Sequence, residues 1–526
     1  MTRAGLLLIL IQRNSWLSTV IFTFGEIEMA STHLLRWGAL VTMAFLLTAC
    51  AMSPPHRTLV GDAGIDCSPD SMHSPERCFN QTPEVSASAG YTLHFVELDD
   101  QGWLYPASGA DKMGQAHGQI DRAMHDVSLR LKNGESIRLL IYVHGWKHTA
   151  AYDDRDVQRF RQMLADAALL NRAEGKSRSV IGIYVGWRGR TVSRSNPLVY
   201  SSFWTRKNAA LHVSEGASRE LFARVRALRE RWNVPRRALP GAGANPSEAA
   251  AAEQEKSQLL HPRIRTVVIG HSFGAWVAYS ALSPSLMELL AHSIDAETTP
   301  EVASEEWLTA RLRQAADMVI LINPAFEASR YQPLQQLANS VRLSRHVPPI
   351  LVLVTSEADA ATRIAFPLGR RVNTLFQHPF VTDEQVDAAM RTPGFVDRYV
   401  THRLSRPATQ ASTCKAWKNA PVPHKDSDQI DQSAEIESQR VARMKDNGKL
   451  ELDRHQDWRN YLQARNFKLT GEWSWEYCGG TVIKHKPDAA QSPVWNVVTD
   501  ASVIRSHSDI MGEPLHSFLR QLYLEL

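Results

Sequence analysis

Residues 265 to 276 read Arg-Thr-Val-Val-Ile-Gly-His-Ser-Phe-Gly-Ala-Trp, and this stretch decides the fold. Its apolar, β-branched residues 266–269 predict a buried strand, and the residues from Ala275 onward predict a helix. The pentapeptide between them is Gly270-His271-Ser272-Phe273-Gly274, a G-x-S-x-G pattern. Strand, sharp turn and helix around this pattern predict a nucleophile elbow, in which both glycines are needed because the bend is tight. The hydroxyl of Ser272 is then exposed above the sheet at a helix N-terminus.

A second apolar strand ends in a His-Gly turn. It reads Arg138-Leu-Leu-Ile-Tyr-Val-His144-Gly145-Trp146. With this turn and the elbow together, the chain resembles the α/β-hydrolase superfamily. The resemblance implies a mainly parallel central sheet flanked by helices. It also implies an oxyanion hole made by the backbone N–H of Phe273 and that of Gly145 or Trp146, with His144 structural.

A serine nucleophile needs a histidine base and a carboxylate that orients it, and the superfamily order is serine, acid, histidine. Three carboxylates follow later strands. Asp359 and Glu357 lie on the loop after the strand that begins near Pro349, and Glu327 follows the strand that begins at Met318. The Ser-Glu-Ala-Asp ending of the later strand resembles the acid loop of the family. We therefore favour Asp359 and keep the two glutamates as alternatives.

The candidate base is one of 20 histidines. The family places it in a loop before the last helix, after a late strand. Val497-Val498-Thr499 has the pattern of such a strand, and His507 lies between it and a final amphipathic segment. His516 is the alternative, but it falls inside the predicted helix. The expected triad is therefore Ser272, Asp359 and His507.

The composition is that of an ordinary globular protein, with 44% hydrophobic and 22% charged residues. The 59 basic and 55 acidic residues give a net charge of +4, too small a bias to indicate nucleic-acid binding. The sequence contains no Cys/His spacing typical of zinc sites and no glycine-rich phosphate loop. We therefore expect no metal and no organic cofactor.

The N-terminal region has the pattern of a bacterial lipoprotein signal. Leu47-Thr-Ala-Cys50 resembles a lipobox, preceded by a short apolar run and Arg36. This predicts a targeting segment over residues 1–49, with Met29 as an alternative start, and lipid on Cys50. Residues 50–90, rich in Ser, Pro and Gly, predict a tether. The expected location is the envelope, with outer-membrane sorting and the chain facing the periplasm.

Four further cysteines follow Cys50, an even number that fits disulfides in an oxidising compartment. They are Cys67, Cys78, Cys414 and Cys478. Three connectivities are possible. Local pairing favours Cys67 with Cys78 and Cys414 with Cys478.

Helical and strand patterns alternate over residues 91–526, which predicts βαβ units in one hydrolase domain. A Pro/Gly/Ala-rich stretch at 235–258 predicts a mobile surface insertion. Residues 366–476 predict a second insertion, either a lid over the substrate pocket or a structural subdomain. Tyr200, Phe203 and Trp204 either line an acyl pocket or belong to the core.

The expected function is hydrolysis of an ester or thioester through an acyl-serine, without a cofactor. The substrate would be a small-molecule or lipid ester, and the lipid anchor would supply the membrane contact. Two rival functions stay open: a surface-anchored binding or scaffolding module with a vestigial site, and a phospholipase. Neither the substrate nor the oligomeric state follows from this sequence.

Overall fold

The structure is a computed structural model of the chain of 526 residues. It describes residues 55–57, 59–66, 81–87, 89–105, 118–173, 178–190, 202–233, 262–297, 305–343, 347–374, 380–406, 474–477, 481–486, 489, 491–510 and 512–524. Residues 1–49, Cys50, the other four cysteines and the insertion at 235–258 lie outside the described residues. The anchor, the disulfides and that insertion therefore stay predictions.

Within the described residues, twelve strands form one sheet. In chain order they are β1 (Leu59–Asp66), β2 (Gln81–Ser86), β3 (Tyr91–Leu98), β4 (Ser136–Val143), β5 (Arg178–Trp187), β6 (Ile264–His271), β7 (Met318–Ile322), β8 (Leu351–Ser356), β9 (His402–Ser405), β10 (Ser474–Glu476), β11 (Val482–His485) and β12 (Val494–Thr499). Their order across the sheet is β1-β2-β3-β5-β4-β6-β7-β8-β12-β9-β11-β10.

The centre of the sheet is parallel. Strands β3, β5, β4, β6, β7, β8 and β12 pair in parallel, and β9 joins β12 in the same direction. Antiparallel pairs occur toward both ends, between β2 and β3 and between β9, β11 and β10. All the carboxyl ends of the parallel strands therefore meet at one edge, which we call the carboxyl edge.

Helices connect the parallel strands, as parallel pairing requires. The described helices are α1 (Gly118–Lys132), α2 (Arg155–Ala173), α3 (Phe203–Glu215), α4 (Ala217–Asn233), α5 (Phe273–Glu297), α6 (Glu305–Leu312), α7 (Ala328–Ala338), α8 (Phe366–Asn373), α9 (Asp383–Met390) and α10 (Glu513–Leu524). A π-helix (Ala361–Ala365) precedes α8, and a 3₁₀ turn (Pro393–Phe395) precedes β9. No described helix is both long and apolar enough to cross a membrane.

Two hydrophobic clusters cover the two faces of the sheet, so its central strands are buried on both sides. One cluster includes α5 and Leu139, and the other includes α2 and Leu140, because neighbouring strand residues point to opposite faces. The apolar face of α2 is buried, with Val157, Phe160 and Leu164 fully inaccessible. The expectation of an α/β chain with a mainly parallel sheet flanked by helices is confirmed.

The predicted tether over 50–90 is wrong for part of its length. Strands β1 and β2 lie within that range and extend the sheet beyond β3. Arg57 is also fully buried, where its side chain binds Glu84 at 2.8 Å and its backbone N–H binds Glu97 at 2.8 Å. The Ser/Pro/Gly-rich composition obscured the strands because the partners that hold them lie later in the chain.

The insertion over 366–476 is ordered structure where it is described. Its β9 pairs with β12, and β10 ends the sheet beyond β11. The helices α8 and α9 precede β9. These elements favour the structural alternative for residues 366–406, whereas residues 407–473 lie outside the described part of the chain.

Candidate active site

Ser272 occupies a sharp turn between β6 and α5 and has a backbone φ of 57°. The residue is only 2% exposed, so the expectation of a hydroxyl exposed above the sheet is wrong, because the turn at Gly145 lies against it. A positive φ is strained for a residue other than glycine. The elbow closes only around glycines. A Cβ on Gly270 would lie 2.6 Å from the Cα of Ala275, and one on Gly274 would overlap the carbonyl oxygens of Val143 and His144.

The hydroxyl of Ser272 donates to Nε2 of His507, with Oγ and Nε2 2.8 Å apart. The other ring nitrogen, Nδ1, lies 2.7 Å from Oδ2 of Asp359. A carboxylate only accepts hydrogen bonds, so Nδ1 carries the proton and Nε2 is free to accept one. The structure therefore brings together the three side chains selected from the sequence, in the order serine, histidine, aspartate.

Asp359 is completely buried and held by three groups besides His507. The backbone N–H of Ala361 donates to Oδ1 at 2.9 Å, as does that of Thr362 at 3.3 Å, and the Thr362 hydroxyl donates to Oδ2 at 2.5 Å. Burial alone would raise the carboxyl pKa. The charge and hydrogen bond of His507, with those of Thr362, outweigh it, so the pKa of Asp359 lies below its usual value.

The two alternative acids pair with basic side chains other than His507, and the alternative base lies in the last helix. Glu327 binds Lys207 at 2.5 Å and Arg370 at 3.0 Å. Glu357 is about half exposed and pairs with Arg403 at 3.0 Å. His516 lies in the first turn of α10, and its backbone N–H bonds Gly512.

The backbone of His507 is fixed by two side chains that were not selected as its supports. Nε2 of His271 donates to the His507 carbonyl at 2.9 Å, and Nδ2 of Asn323 donates to the same oxygen at 3.1 Å. Burial, followed by the nearby His507 charge, lowers the pKa of His271 to about 3, so its ring is neutral. Residue 271 of the elbow therefore positions the base as well as leading into Ser272.

Asn323 connects the loops that carry the acid and the base. Its Oδ1 accepts the backbone N–H of Ser356 at 3.0 Å, while the Ser356 hydroxyl donates to the carbonyl of Ile504 at 2.7 Å. Asn323 has a φ of 45° and is fully buried. Asn323 is a site residue that was not selected from the sequence. An asparagine directly after a buried strand is nevertheless a usable signal, because asparagine tolerates positive φ.

The His-Gly turn lies against the elbow. A Cβ on Gly145 would lie 3.0 Å from the Cβ of Ser272 and 2.9 Å from the carbonyl of His271. His144 is fully buried, stacked on Trp187, and accepts that residue's backbone N–H at Nε2 at 3.0 Å. Burial lowers the pKa of His144 to about 4, so it serves as a neutral structural group.

Two backbone segments offer donors beside Ser272. Phe273 is the first residue of α5, so its N–H has no partner within the helix. Gly145 and Trp146 lie on the turn that touches Ser272. The geometry is compatible with an oxyanion hole made by these groups.

An aromatic wall extends from this point. The Phe203 ring lies 4.8 Å from the Phe273 ring and 5.3 Å from the Trp146 ring, measured between centroids. Trp204 continues the wall to Phe366, at 6.2 Å. Phe203 thus packs against Phe273 and Trp146, and Trp204 packs against Phe203 and Phe366, while Tyr200 lies outside the described residues.

One group of three potential metal ligands occurs within the described residues: His148, Asp154 and Asp156. Protein donors already occupy these carboxylates. Asp154 accepts from His148 at 2.7 Å and from the backbone N–H groups of Thr149 and Asp156, and Asp156 accepts from the hydroxyl of Tyr142 at 2.9 Å. Asp154 directly precedes α2 and accepts a backbone N–H of its first turn. The cluster is therefore explained by the capping of this helix.

Comparison with known proteins found no matching family model, no matching curated protein and no matching solved structure. Fold and function are therefore inferred from the geometry and from the motifs that carry the resemblance. The main evidence is the contact of Ser272, His507 and Asp359.

Proposed function

We propose that this chain is a serine hydrolase of the α/β-hydrolase fold that cleaves ester or thioester bonds through an acyl-serine. One observation carries the proposal: a serine at φ 57° whose hydroxyl lies 2.8 Å from a histidine that a buried aspartate orients at 2.7 Å. The positions after β6, after β8 and after β12 match the superfamily order of nucleophile, acid and base.

In the acylation step, Nε2 of His507 takes the proton of the Ser272 hydroxyl as Oγ attacks the carbonyl carbon of the substrate. The carbonyl π bond opens to an oxyanion, which the N–H of Phe273 and those of the 145–146 turn stabilise. Collapse of this intermediate breaks the bond to the leaving alcohol or thiol. The leaving group receives the proton from Nε2, and the acyl group stays on Oγ.

Deacylation uses the same residues in reverse order. Nε2 of His507 removes a proton from water, and the resulting hydroxide attacks the acyl carbon. The acid product leaves as Oγ of Ser272 recovers the proton. Asp359 stays ionised throughout, which its lowered pKa favours, and it stabilises the imidazolium that forms twice in the cycle.

The rival function, a binding module with a vestigial site, would not need this relay. A histidine within hydrogen-bond distance of Ser272 separates the two functions, because only the enzyme needs a base at the serine hydroxyl. The observed 2.8 Å contact and the strain retained at Ser272 favour the enzyme.

We also propose that the chain is anchored in the bacterial envelope through lipid on Cys50, since Leu47-Thr-Ala-Cys50 resembles a lipobox. Cys50→Ala in the full chain should abolish labelling by a fatty-acid analogue. Labelling that persists in this variant would place the anchor elsewhere.

The test of the hydrolase is reaction of the purified chain with a fluorophosphonate probe and with short-chain nitrophenyl esters. Ser272→Ala should abolish labelling and lower kcat by about 10⁶-fold, the size known for loss of a triad serine. Ser293→Ala is the matched control, because Ser293 lies in α5 too, fully buried, and bonds only the Leu289 carbonyl in the described structure. Equal rates for wild type and Ser272→Ala would end the hydrolase proposal.

A further inference from the structure

The chain between Cys50 and the folded domain is short. Arg57 is fully buried, and its carbonyl accepts from Gln119 at 2.9 Å while its Nε donates to the Ala150 carbonyl at 2.8 Å. Seven residue steps separate Cys50 from Arg57, so the distance between them is at most about 25 Å. A globular unit of the about 310 described residues has a diameter of roughly 50 Å. The connection from Cys50 to Arg57, which we call the lead, is therefore too short to place the anchor on the far side of the domain.

Arg57 enters the fold at the carboxyl edge, where Ser272 also lies. The first residue of β1, Leu59, pairs with Gln81 at the start of β2. Because β2 runs antiparallel to β3, this start lies level with the carboxyl end of β3. The contacts agree, since Glu97 near the end of β3 accepts the backbone N–H groups of His56 and Arg57.

The same edge carries an exposed apolar stripe. Ile364, Leu368 and Val372, spaced by four residues along the π-helix and α8, are 56%, 57% and 68% exposed. Among the described residues, seven large apolar side chains are exposed, and five of them fall within residues 364–386. Single exposed apolar residues are common, but a stripe at helical spacing marks a contact surface.

The charges beside the stripe fit a lipid surface with anionic headgroups. Arg363 and Arg371 are exposed and flank the apolar residues. An apolar face bordered by basic residues is typical of helices that lie in a membrane interface. The neighbouring α9 instead begins with the acidic Asp383 and Glu384. The surface suited to anionic lipid is therefore limited to α8 and the π-helix before it.

The stripe is joined directly to the site. The π-helix begins two residues after Asp359, and the buried face of the same helical segment presents Phe366 to Trp204 in the aromatic wall. Across the sheet, β6 with Ser272 is three strands from β3 and two from β8, about 14 Å and about 10 Å. The anchor lead and the apolar stripe therefore lie on opposite sides of the nucleophile.

Building on the proposed hydrolase and anchor, we propose that the carboxyl edge faces the membrane that holds Cys50. Ile364, Leu368 and Val372 insert among the lipids, and Arg363 and Arg371 contact anionic headgroups. The short connection from Cys50 to Arg57 holds this edge against the membrane, so the site lies on the membrane side of the domain. Its substrates are then esters carried in that membrane.

The test uses the full lipidated chain in vesicles of zwitterionic and anionic phospholipid. A long-chain fluorogenic ester in the vesicles is compared with a water-soluble nitrophenyl ester. I364S/L368S/V372S should lower the ratio of the vesicle-ester rate to the soluble-ester rate by about tenfold or more, since three apolar contacts with the lipids are lost. Leu129→Ser is the matched control, because Leu129 is 47% exposed on α1 near the opposite edge and should leave the ratio unchanged.

Two further experiments distinguish failure of the membrane orientation from failure of the hydrolase proposal. A benzophenone amino acid at position 368 should crosslink to labelled phospholipid, and one at position 129 should not, whether or not the chain is active. A flexible insert of about 40 residues between Cys50 and His56 should also lower the rate ratio, because the orientation is then free. Unchanged ratios or equal crosslinking at both positions would overturn the orientation. A soluble-ester rate that survives Ser272→Ala would instead overturn the hydrolase.

Discussion

Replacing Asn323 should reduce stability and activity by separate, measurable amounts. The side chain makes two buried hydrogen bonds, to the carbonyl of His507 and from the N–H of Ser356. Each contributes about 1 kcal/mol net. The backbone φ of 45° costs alanine a further 1–2 kcal/mol or so. Asn323→Ala should therefore lower the free energy of unfolding by about 3 kcal/mol.

Asn323→Gly separates these two effects, because glycine adopts positive φ without strain. It should be about 1 kcal/mol more stable than Asn323→Ala, while both variants lose the donor to His507. Their kcat should fall equally, by about tenfold to 100-fold, since small displacements of a catalytic group have effects of that size. KM should change little, because Asn323 does not border the aromatic wall.

The assays are urea denaturation and steady-state hydrolysis of a nitrophenyl ester. Asn339→Ala is the control, since Asn339 is exposed at the end of α7 with a φ of −66°. The positioning role is refuted if Asn323→Ala retains kcat within twofold of wild type. Equal instability of the alanine and glycine variants would refute the argument from backbone strain.

Two further predictions concern the elbow and the buried histidines. Gly274→Ala should lower the free energy of unfolding by about 1–3 kcal/mol and abolish most activity, because the added Cβ overlaps backbone carbonyls of the turn. Gly512→Ala is the control, since its Cβ meets only ordinary contacts, and it should match wild type in urea melts and ester assays. Burial lowers the pKa of His144 to about 4 and those of His271 and His402 to about 3, so these rings stay neutral when folded and bind protons when unfolded. Stability should therefore fall as pH falls below about 6.5, by about 2 kcal/mol per histidine between pH 7 and 5, and an unchanged urea midpoint would contradict this.

The elbow could be predicted from the sequence because its requirements are local. The apolar run of β6, the two glycines and the start of α5 all lie within residues 264–282. Local patterns also predicted the alternation of helices with the strands of a mainly parallel sheet. Each of these features depends on residues within one turn or one strand of one another.

The choice of acid needed contacts that no local pattern contains. Glu327 and Asp359 both follow buried strands on the carboxyl edge. The carboxylate of Glu327 is occupied by Lys207, 120 positions earlier, and by Arg370. Asp359 is distinguished by His507, 148 positions later. The order of residues along the chain reduced the number of candidate acids, and the contacts in the folded structure distinguish between those that remain.

The tether prediction failed for a related reason. A buried arginine with a polar, Pro-rich context resembles a linker in composition, since arginine is rarely buried unless paired. Here Glu84 pairs with the Arg57 guanidinium, Glu97 accepts the Arg57 backbone N–H, and the guanidinium also lies 3.8 Å from the Phe95 ring centroid. The partners follow at intervals of 27 and 40 residues, so composition alone could not reveal the docking.

The strand order explains why one asparagine can align the whole relay. Ser272 follows β6 and Asp359 follows β8, and β7 is the strand between them. Neighbouring strands are about 4.8 Å apart, so a short side chain at the end of β7 reaches groups above both neighbours. Asn323 occupies that place, and its amide offers one donor and one acceptor, which match the His507 carbonyl and the Ser356 N–H. The alignment of base and acid therefore depends on the position of β7 in the sheet.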